Sequence, residues 1–161
     1  MSPETTLSDQ YQLRPAGKND QAAIKKLIKE VGINPLGLKW QRFIVAVEGN
    51  GRIIGCGQVK PHRDGSRELA SIAVVKAWRK QGIARAIIQA LQKVYGRPLW
   101  LTCVDKLTPF YEPFGFVEIS DPAHMPPYFR RAKHFFNLYL KLTRHKRRLA
   151  VMVWDGTLSR R

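Results

Sequence analysis

The stretch that decides the fold is ELASIAVVKAWRKQGIAR, residues 68–85. Its first part, Glu68 to Val74, is a short run of apolar and small residues typical of a buried strand. Its last part opens a run from Ile83 to Val94 whose apolar side chains at 83, 87, 91 and 94 recur with helical spacing. The sequence therefore predicts a strand, a short basic turn and an amphipathic helix.

The turn between these two elements has the chemistry of an anion site. The first N–H groups of a helix lack intrahelical partners, and the helix dipole places partial positive charge at that end. Gly82 has no Cβ to stand between the backbone and a ligand. Arg79, Lys80 and Arg85 add positive charge around it. We expect phosphate groups to bind at this turn.

Further elements on both sides of this stretch predict a mixed α and β protein. They are a helix between Asp20 and Gly32, a hairpin of strands 43–48 and 53–60, strands at 99–103, 116–119 and 149–154, and a helix at 108–114. No internal repeat or low-complexity linker divides the chain. Strands and helices in this order predict an α+β fold, in which helices pack on a sheet.

Several classes of site and location are not supported by the sequence. Cys56 and Cys103 stand in strand-like runs without a metal-ligand spacing, and we expect two buried thiols and no metal. The four histidines are scattered in polar or basic stretches, and we expect each at the surface: His62, His124, His134 and His145. No leader or membrane-spanning run is visible, so we expect a soluble protein of the cytoplasm or of a plastid stroma.

Positive charge dominates the chain and is concentrated near its end. The sequence has 28 Lys and Arg against 12 Asp and Glu, for a net charge of +16. From Tyr128 onward there are ten Lys or Arg and one acid, Asp155. Such a field attracts anions, whether a phosphorylated small molecule, a nucleic acid or an acidic protein surface. The net charge alone does not distinguish these partners.

Four motifs together resemble the GNAT superfamily of acetyltransferases. The pattern Arg79-x-x-Gly82-x-Ala84 resembles the loop that binds the acetyl-CoA pyrophosphate, and ELASIAV resembles the strand before it. FYEPFGF at 110–116 and QLRPA at 12–16 resemble later and earlier GNAT motifs. The resemblance implies one domain, a GNAT-like α+β core at 11–120 with a twisted, mostly antiparallel sheet. Residues 1–10 are then a flexible N-terminus, and 121–161 a basic helix and final strand that complete the domain.

The resemblance also implies the residues that bind acetyl-CoA, the acyl donor. Backbone N–H groups from Gln81 to Arg85 would hold the pyrophosphate. The edge of the strand at 72–74 would pair with the pantetheine arm, and the Val74 N–H would polarise the thioester carbonyl. The predicted cofactor-binding residues are Ile72, Ala73, Val74, Arg79, Lys80, Gln81, Gly82, Ile83, Ala84 and Arg85.

Two residues are candidates for acid–base chemistry. Glu68 begins an otherwise apolar strand at a register where some GNAT enzymes place a base, and a partly desolvated carboxylate is a good proton acceptor. The alternative is a solvated glutamate, or one paired with Arg63 or Arg67. Tyr111 in FYEPFGF is the candidate acid for the departing thiolate. Its alternative is an aromatic side chain that only packs.

The segment from Tyr128 to Arg148 leaves two alternatives open. Apolar residues at 132, 135, 136, 139 and 142 share a helical face, and a basic run follows at 144–148. The helix either binds an anionic surface, lipid or nucleic acid, or packs on the sheet with its charged side in water. The β-rich run at 149–154 favours the second, because a crossover helix must lead the chain back to the sheet.

The sequence thus supports an acetyl-CoA-dependent N-acetyltransferase that acts on a primary amine. The acceptor is either a small amino acid or polyamine, or a protein amine. LTC at 101–103 resembles the N-acetylglutamate-synthase-like branch of the family, which implies a small amino acid. The other hypothesis is a non-catalytic basic module that binds nucleic acid or an acidic partner. The loop, strand and tyrosine motifs favour only the enzyme.

Overall fold

The structure is a computed structural model that describes residues 10–156. The predicted flexible N-terminus lies almost wholly outside the described residues. The strands are β1 Tyr11–Pro15, β2 Phe43–Glu48, β3 Ile53–Pro61, β4 Arg67–Val74, β5 Leu99–Val104, β6 Val117–Glu118 and β7 Leu149–Trp154. The helices are α1 Gln21–Val31, α2 Ile83–Tyr95, α3 Thr108–Tyr111 and α4 Pro127–Thr143. No helix in this part of the chain is long and apolar enough to cross a membrane.

The seven strands form a mixed sheet, as the α+β prediction requires. Its order is β1-β2-β3-β4-β5-β7-β6. The pairs β1/β2, β2/β3, β5/β7 and β6/β7 are antiparallel. β4 and β5 are parallel, with Glu68 opposite Trp100. The predicted mostly antiparallel sheet with flanking helices is therefore confirmed. Within the described residues the chain divides into two compact units, one of 10–60 and 69–94 and one of 61–68 and 95–156.

The two helices of the first unit, α1 and α2, pack in different ways. α1 buries Ile24, Leu27 and Ile28 in a core with β2, as the helical spacing predicts. α2 approaches the backbone of β3 very closely. A Cβ placed on Gly57 would lie 2.7 Å from Ile87, and one on Gly55 would lie 2.8 Å from Ile83. Glycine at both positions thus lets α2 pack directly against the strand.

The two ends of α1 differ: a glycine ends the helix, whereas the aspartate before it does not cap it. The helix ends at Gly32, which has a φ of 78° as a C-terminal glycine often does. Asp20 directly precedes the helix, but its side chain does not cap it. The carboxylate instead accepts hydrogen bonds from Arg14 (2.6 Å) and from the Gly17 N–H (2.7 Å). The carboxylate oxygens therefore bind these local partners and do not accept from the first N–H groups of the helix.

The second unit contains β5, β7, β6 and α4, and one of its buried clusters joins α4 to β7. Met125, Phe129 and Val151 are buried together, with Trp100 packed against them. The helix predicted at 108–114 is shorter than expected, since α3 ends at Tyr111 and continues as a single 3-10 turn, Glu112–Phe114. Pro113 explains this, because it has no N–H to donate within a helix.

Both cysteines are buried and free, as predicted. Burial raises the pKa of Cys56 to about 12. Burial, followed by the charge of Glu118, raises that of Cys103 to about 11. Both side chains therefore stay protonated at neutral pH. No group of potential metal ligands exists among the residues that the structure describes.

Candidate functional site

The predicted phosphate turn lies in the first unit, between β4 and α2. A 3-10 turn at Lys76–Trp78 leads into it, and the Arg79 Nε donates to the Val74 carbonyl at 3.2 Å. This bond holds the turn against the end of β4. Gly82 precedes the first residue of α2, and its carbonyl accepts from the Ala86 N–H at 3.0 Å.

The turn presents its backbone to solvent. Lys80 and Gly82 both have positive φ, 62° and 82°. This left-handed backbone turns the chain sharply into α2, so that the first N–H groups of the helix point out of the turn. No atom lies within 4 Å of a Cβ built on Gly82. Arg79, Lys80 and Arg85 are exposed around it. The predicted residues therefore form one open, positively charged turn suited to phosphate.

The strand before the turn is less regular than its sequence suggests. Ser71 in the middle of β4 has a φ of 58°, rare for a side chain with a Cβ. The Gln58 Nε2 donates to the Ser71 Oγ at 2.9 Å and holds this conformation. The kink breaks the alternation of the strand, so Ile72 is half-exposed while Ala73 and Val74 are buried. No pattern in the sequence predicts it.

Gln58 itself has spare hydrogen-bonding capacity. Its side chain is fully buried, and within the described part of the chain its Oε1 has no hydrogen-bond partner. Buried polar atoms are nearly always paired, so this oxygen beside the kink of β4 is an exception among the buried polar atoms of the described residues.

Glu68 belongs to the second unit and is buried at the start of β4, with 7% of its surface exposed. Its Oε2 lies 2.8 Å from the His62 Nε2. Neither of the expected partners, Arg63 or Arg67, makes this contact. Arg67 instead donates to backbone carbonyls, among them that of Pro98 at 3.2 Å. Glu68 is therefore neither solvated nor paired with arginine, which corrects that alternative.

His62 was expected at the surface, and that expectation is wrong. Only 13% of its side chain is exposed. Its ring stacks on Tyr128, with centroids 3.4 Å apart and planes at 15°, and meets the edge of Phe129 at 5.8 Å. Burial, together with the charge of Glu68 and a hydrogen bond to it, raises the pKa of Tyr128. A histidine and a tyrosine thus enclose the carboxylate.

Asp64 fixes this arrangement through the backbone. Its Oδ2 accepts from the Tyr128 N–H at 2.8 Å, and its Oδ1 accepts from the Ser66 N–H at 2.9 Å. Burial acts to raise the pKa of Asp64. The hydrogen bonds from Ser66 and Tyr128 outweigh this effect of burial, and the electrostatic interaction with His62 acts in the same direction as the hydrogen bonds. Together they lower the pKa of Asp64 to about 2. The carboxylate therefore stays charged and holds the start of α4 beside the turn that contains His62.

Part of this cluster could have been suspected from the sequence. The Asp-Gly-Ser order at 64–66 is typical of a turn in which the aspartate side chain binds the backbone. No sequence signal links Tyr128 to a residue 64 positions earlier. Folding brings them together.

Tyr111, the predicted acid, ends α3 in the second unit. It packs edge-on against Phe110 at 5.0 Å and Phe116 at 6.1 Å. Burial, followed by the proximity of Cys103, raises the pKa of Tyr111 to about 12. The hydroxyl therefore keeps its proton at neutral pH, as a general acid must.

Comparison with known proteins identifies the family. A family model described as an acetyltransferase (GNAT) domain matches residues 39–118, the segment that contains β4 and the phosphate turn. The chain belongs to the GNAT superfamily. This confirms the predicted family and the predicted enzyme class, N-acetyltransferase. No curated protein sequence matches this GNAT chain.

Solved structures share the fold of this GNAT protein. Rv2747 from Mycobacterium tuberculosis in complex with CoA and NLQ is 24% identical, with a TM-score of 0.68, over 89% of this chain and 98% of that one. An acetyltransferase of the GNAT family from Staphylococcus aureus is 16% identical, with a TM-score of 0.57, over 71% and 88%.

A larger enzyme contains the same fold as a part. N-acetylglutamate synthase from Neisseria gonorrhoeae, complexed with coenzyme A and N-acetyl-glutamate, is 17% identical, with a TM-score of 0.63. The match covers 90% of this GNAT chain and 35% of the synthase. The GNAT chain thus spans about a third of that enzyme. At these identities the likeness shows the fold alone.

Proposed function

We propose that this GNAT protein transfers the acetyl group of acetyl-CoA to a primary amine by direct attack in a ternary complex. The observation that carries the proposal is the buried carboxylate of Glu68. It stands on the strand that leads into the phosphate turn, and it is held by the His62 Nε2 at 2.8 Å. A desolvated and oriented carboxylate at this place suits a general base.

The turn at 79–85 would bind the donor. The N–H groups at the start of α2, which have no intrahelical partners, and the exposed cations of Arg79, Lys80 and Arg85 suit the pyrophosphate of CoA. The irregular β4 offers an edge for the pantetheine arm. CoA bound to Rv2747 and to the Neisseria synthase supports the same donor class here.

The chemical steps follow from the two titratable residues. Glu68 accepts a proton from the ammonium of the acceptor, and the neutral amine attacks the thioester carbonyl carbon. A C–N bond forms, and the tetrahedral intermediate collapses with cleavage of the C–S bond. Tyr111 gives its proton to the departing CoA thiolate. The nitrogen of the new amide loses its second proton, which restores the Tyr111 hydroxyl through solvent, and Glu68 returns its own proton to water after the products leave. The backbone N–H of Val74 would stabilise the oxyanion in between.

The two cysteine thiols stay protonated, and this favours direct attack by the amine over an acetyl-enzyme intermediate. The two cysteines of the chain are the natural nucleophiles for such an intermediate. Both are buried and have pKa values of about 11 and 12, so neither supplies a thiolate at neutral pH.

For the acceptor we propose a small amino acid, ahead of a polyamine or a protein amine. The Neisseria synthase holds N-acetyl-glutamate, an acetylated amino acid, on the same fold. The net charge of +16 favours the encounter with an acidic amino acid over that with a polycation. A cytoplasmic location stays a prediction.

The first test is thermal unfolding of the CoA-stripped protein with and without acetyl-CoA. A ligand at about 100 times its Kd stabilises by ~2.7 kcal/mol, which raises Tm by several degrees in a domain of this size. Gly82→Glu should abolish this rise, because it places a negative charge at the phosphate site. Gly51→Glu is the matched control, since Gly51 has a similar φ of 87° and equally open surroundings in the β2–β3 turn.

The outcomes separate the two function hypotheses. A rise in Tm that Gly82→Glu removes and Gly51→Glu keeps supports the enzyme, and release of CoA thiol in an amino-acid screen then identifies the acceptor. No rise at millimolar acetyl-CoA would refute the donor site. The non-catalytic basic module would then gain support from nucleic-acid binding that weakens steeply with salt.

A further inference from the structure

The helix α4 exposes a continuous apolar face. Phe135, Leu138, Tyr139 and Leu142 are exposed by 66%, 48%, 57% and 77%. They fall within two turns of helix and point in similar directions. Soluble monomers rarely expose large apolar side chains in such a group, so this face indicates an interaction surface.

These side chains are not the ones that attach α4 to its own unit. The helix packs through Phe129 and Leu140, which are buried and lie on a different face. Ala132 and Phe136 lie between the buried face and the exposed apolar face, and both are half-buried. The prediction that α4 packs with only its charged side in water therefore needs correction. The helix packs by one face, and a second apolar face remains in water.

The surroundings of the apolar face are uniformly cationic. The sequence from 127 to 148 contains eight Lys or Arg and no acid. Arg131 lies in line with Phe135 and Leu142, and Lys141 flanks them. Arg144, Lys146 and Arg147 follow the end of the helix, and all five of these cations are exposed.

We propose that this face of α4 binds the surface of an anionic lipid bilayer. A helix with aromatic and leucine side chains on one face and Lys or Arg beside it lies in the plane of a membrane interface. Its apolar side chains enter the boundary of the acyl chains, and its cations contact the anionic headgroups. From Phe135 to Leu142 the apolar face offers a contact roughly 11 Å long.

Charge complementarity decides between the possible occupants. A second copy of this chain would bring one cationic cluster against another, which disfavours self-association through this face. Nucleic acid would satisfy the cations, but it would leave Leu138 and Leu142 without a partner, because such proteins bind bases mainly through aromatic and polar side chains. An anionic bilayer satisfies both the charges and the apolar side chains.

The test is co-sedimentation of the whole protein with vesicles. The probes are neutral phosphatidylcholine vesicles and vesicles that contain about a third phosphatidylglycerol. We expect binding to the anionic vesicles only. The double variant Phe135→Ser with Leu142→Ser should bind at least tenfold more weakly, because two apolar side chains no longer leave water. Val94→Ser, at a residue 67% exposed on α2, is the matched control and should bind as the unchanged protein does.

Two charge-reversal variants test the electrostatic part of the proposal. Lys141→Glu should weaken binding, whereas Lys25→Glu, an equal charge change on the exposed side of α1, should not. Equal binding of the double serine variant and the unchanged protein would overturn the proposal, as would equal binding to neutral vesicles. A dimer in light scattering that the double serine variant dissolves would also overturn it and assign the face to a second copy.

Discussion

The Nε2 of His62 lies 2.8 Å from the Oε2 of Glu68, although the sequence predicts neither the contact nor the burial of the histidine. The imidazole also stacks on Tyr128, so the contact is fixed from two sides. A carboxylate whose rotamer is fixed in this way is preorganised for proton transfer. His62 is therefore a positioning residue for the proposed base.

Replacing His62 separates its two contacts. His62→Phe keeps an aromatic ring for stacking on Tyr128 but removes the donor to Glu68, and kcat should fall about tenfold, since hydrogen bonds to charged groups contribute ~1.5–3 kcal/mol. His62→Gln keeps an N–H donor and should retain most of the activity. Steady-state kinetics with the acceptor found by the screen measures both, and KM for acetyl-CoA should stay constant. If both variants lose the same activity, His62 has only a packing role.

Glu68→Gln should lower kcat by ~10²-fold or more, because the isosteric amide cannot accept the ammonium proton. The rise in Tm with acetyl-CoA should persist, since the donor site is assigned to the turn. Turnover that survives this change would remove Glu68 from the role of base. In that case the proposal for His62 also fails, although the proposed acetyl transfer itself can stand.

Tyr111→Phe should lower kcat by ~10²-fold if the phenol protonates the thiolate. The stability of this variant should also depend on pH in a different way from that of the unchanged protein. The pKa of Tyr111 is raised from 10.0 to about 12, so its contribution to stability is fully present below pH 10 and is lost as pH rises toward 12. Thermal unfolding between pH 9 and 12 should therefore show a shallower loss of Tm in the variant. Equal slopes would mean that the hydroxyl ionises as it does in the unfolded chain.

Asp64→Asn should destabilise the protein in a manner that depends on pH. The pKa of Asp64 is lowered from 3.8 to about 2, so its contribution is present above pH 4 and is lost as pH falls through 2. The difference in Tm between the variant and the unchanged protein should therefore be largest near neutral pH and should vanish toward pH 2. A difference that does not change with pH would show that the carboxylate charge is unimportant at this position.

Gly57→Ala should reduce stability by ~1–3 kcal/mol, the usual cost of overpacking. Its Cβ would lie 2.6 Å from Ile72 and 2.7 Å from Ile87, so α2 would have to move away from β3. Gly49→Ala serves as the control, because no atom lies within 4 Å of its Cβ. Denaturant unfolding compares the two. Equal stability of both variants would contradict the close approach of α2.

The sequence predicted those parts of the site that are local in the chain. The phosphate turn, its glycine and its cations occur within a few consecutive residues, between a strand and a helix whose apolar periodicities are strong. The free N–H groups at a helix start follow from the geometry of the helix itself. An anion site could therefore be proposed from the local sequence without knowledge of the rest of the fold. Tyr111 could be singled out only because its neighbours resemble a known motif.

The parts that sequence reasoning missed depend on contacts between distant segments. The kink at Ser71 requires a hydrogen bond from Gln58 of another strand, and propensity favours no positive φ at serine. The apolar residues of α4 were expected to pack because helical periodicity shows that side chains share a face without showing what that face contacts.

The sequence by itself determined the order of strands and helices. It also singled out the proposed phosphate turn and the candidate base on β4, because each proposal depends on periodicity, glycine geometry or charge within one segment. Only the tertiary structure decided the partner of that base. Asp64 and Tyr128 are 64 positions apart, and the fold joins them through one hydrogen bond that sets His62 against Glu68. The burial and the orientation of this carboxylate are properties of packing, and they are set by residues that no local pattern connects.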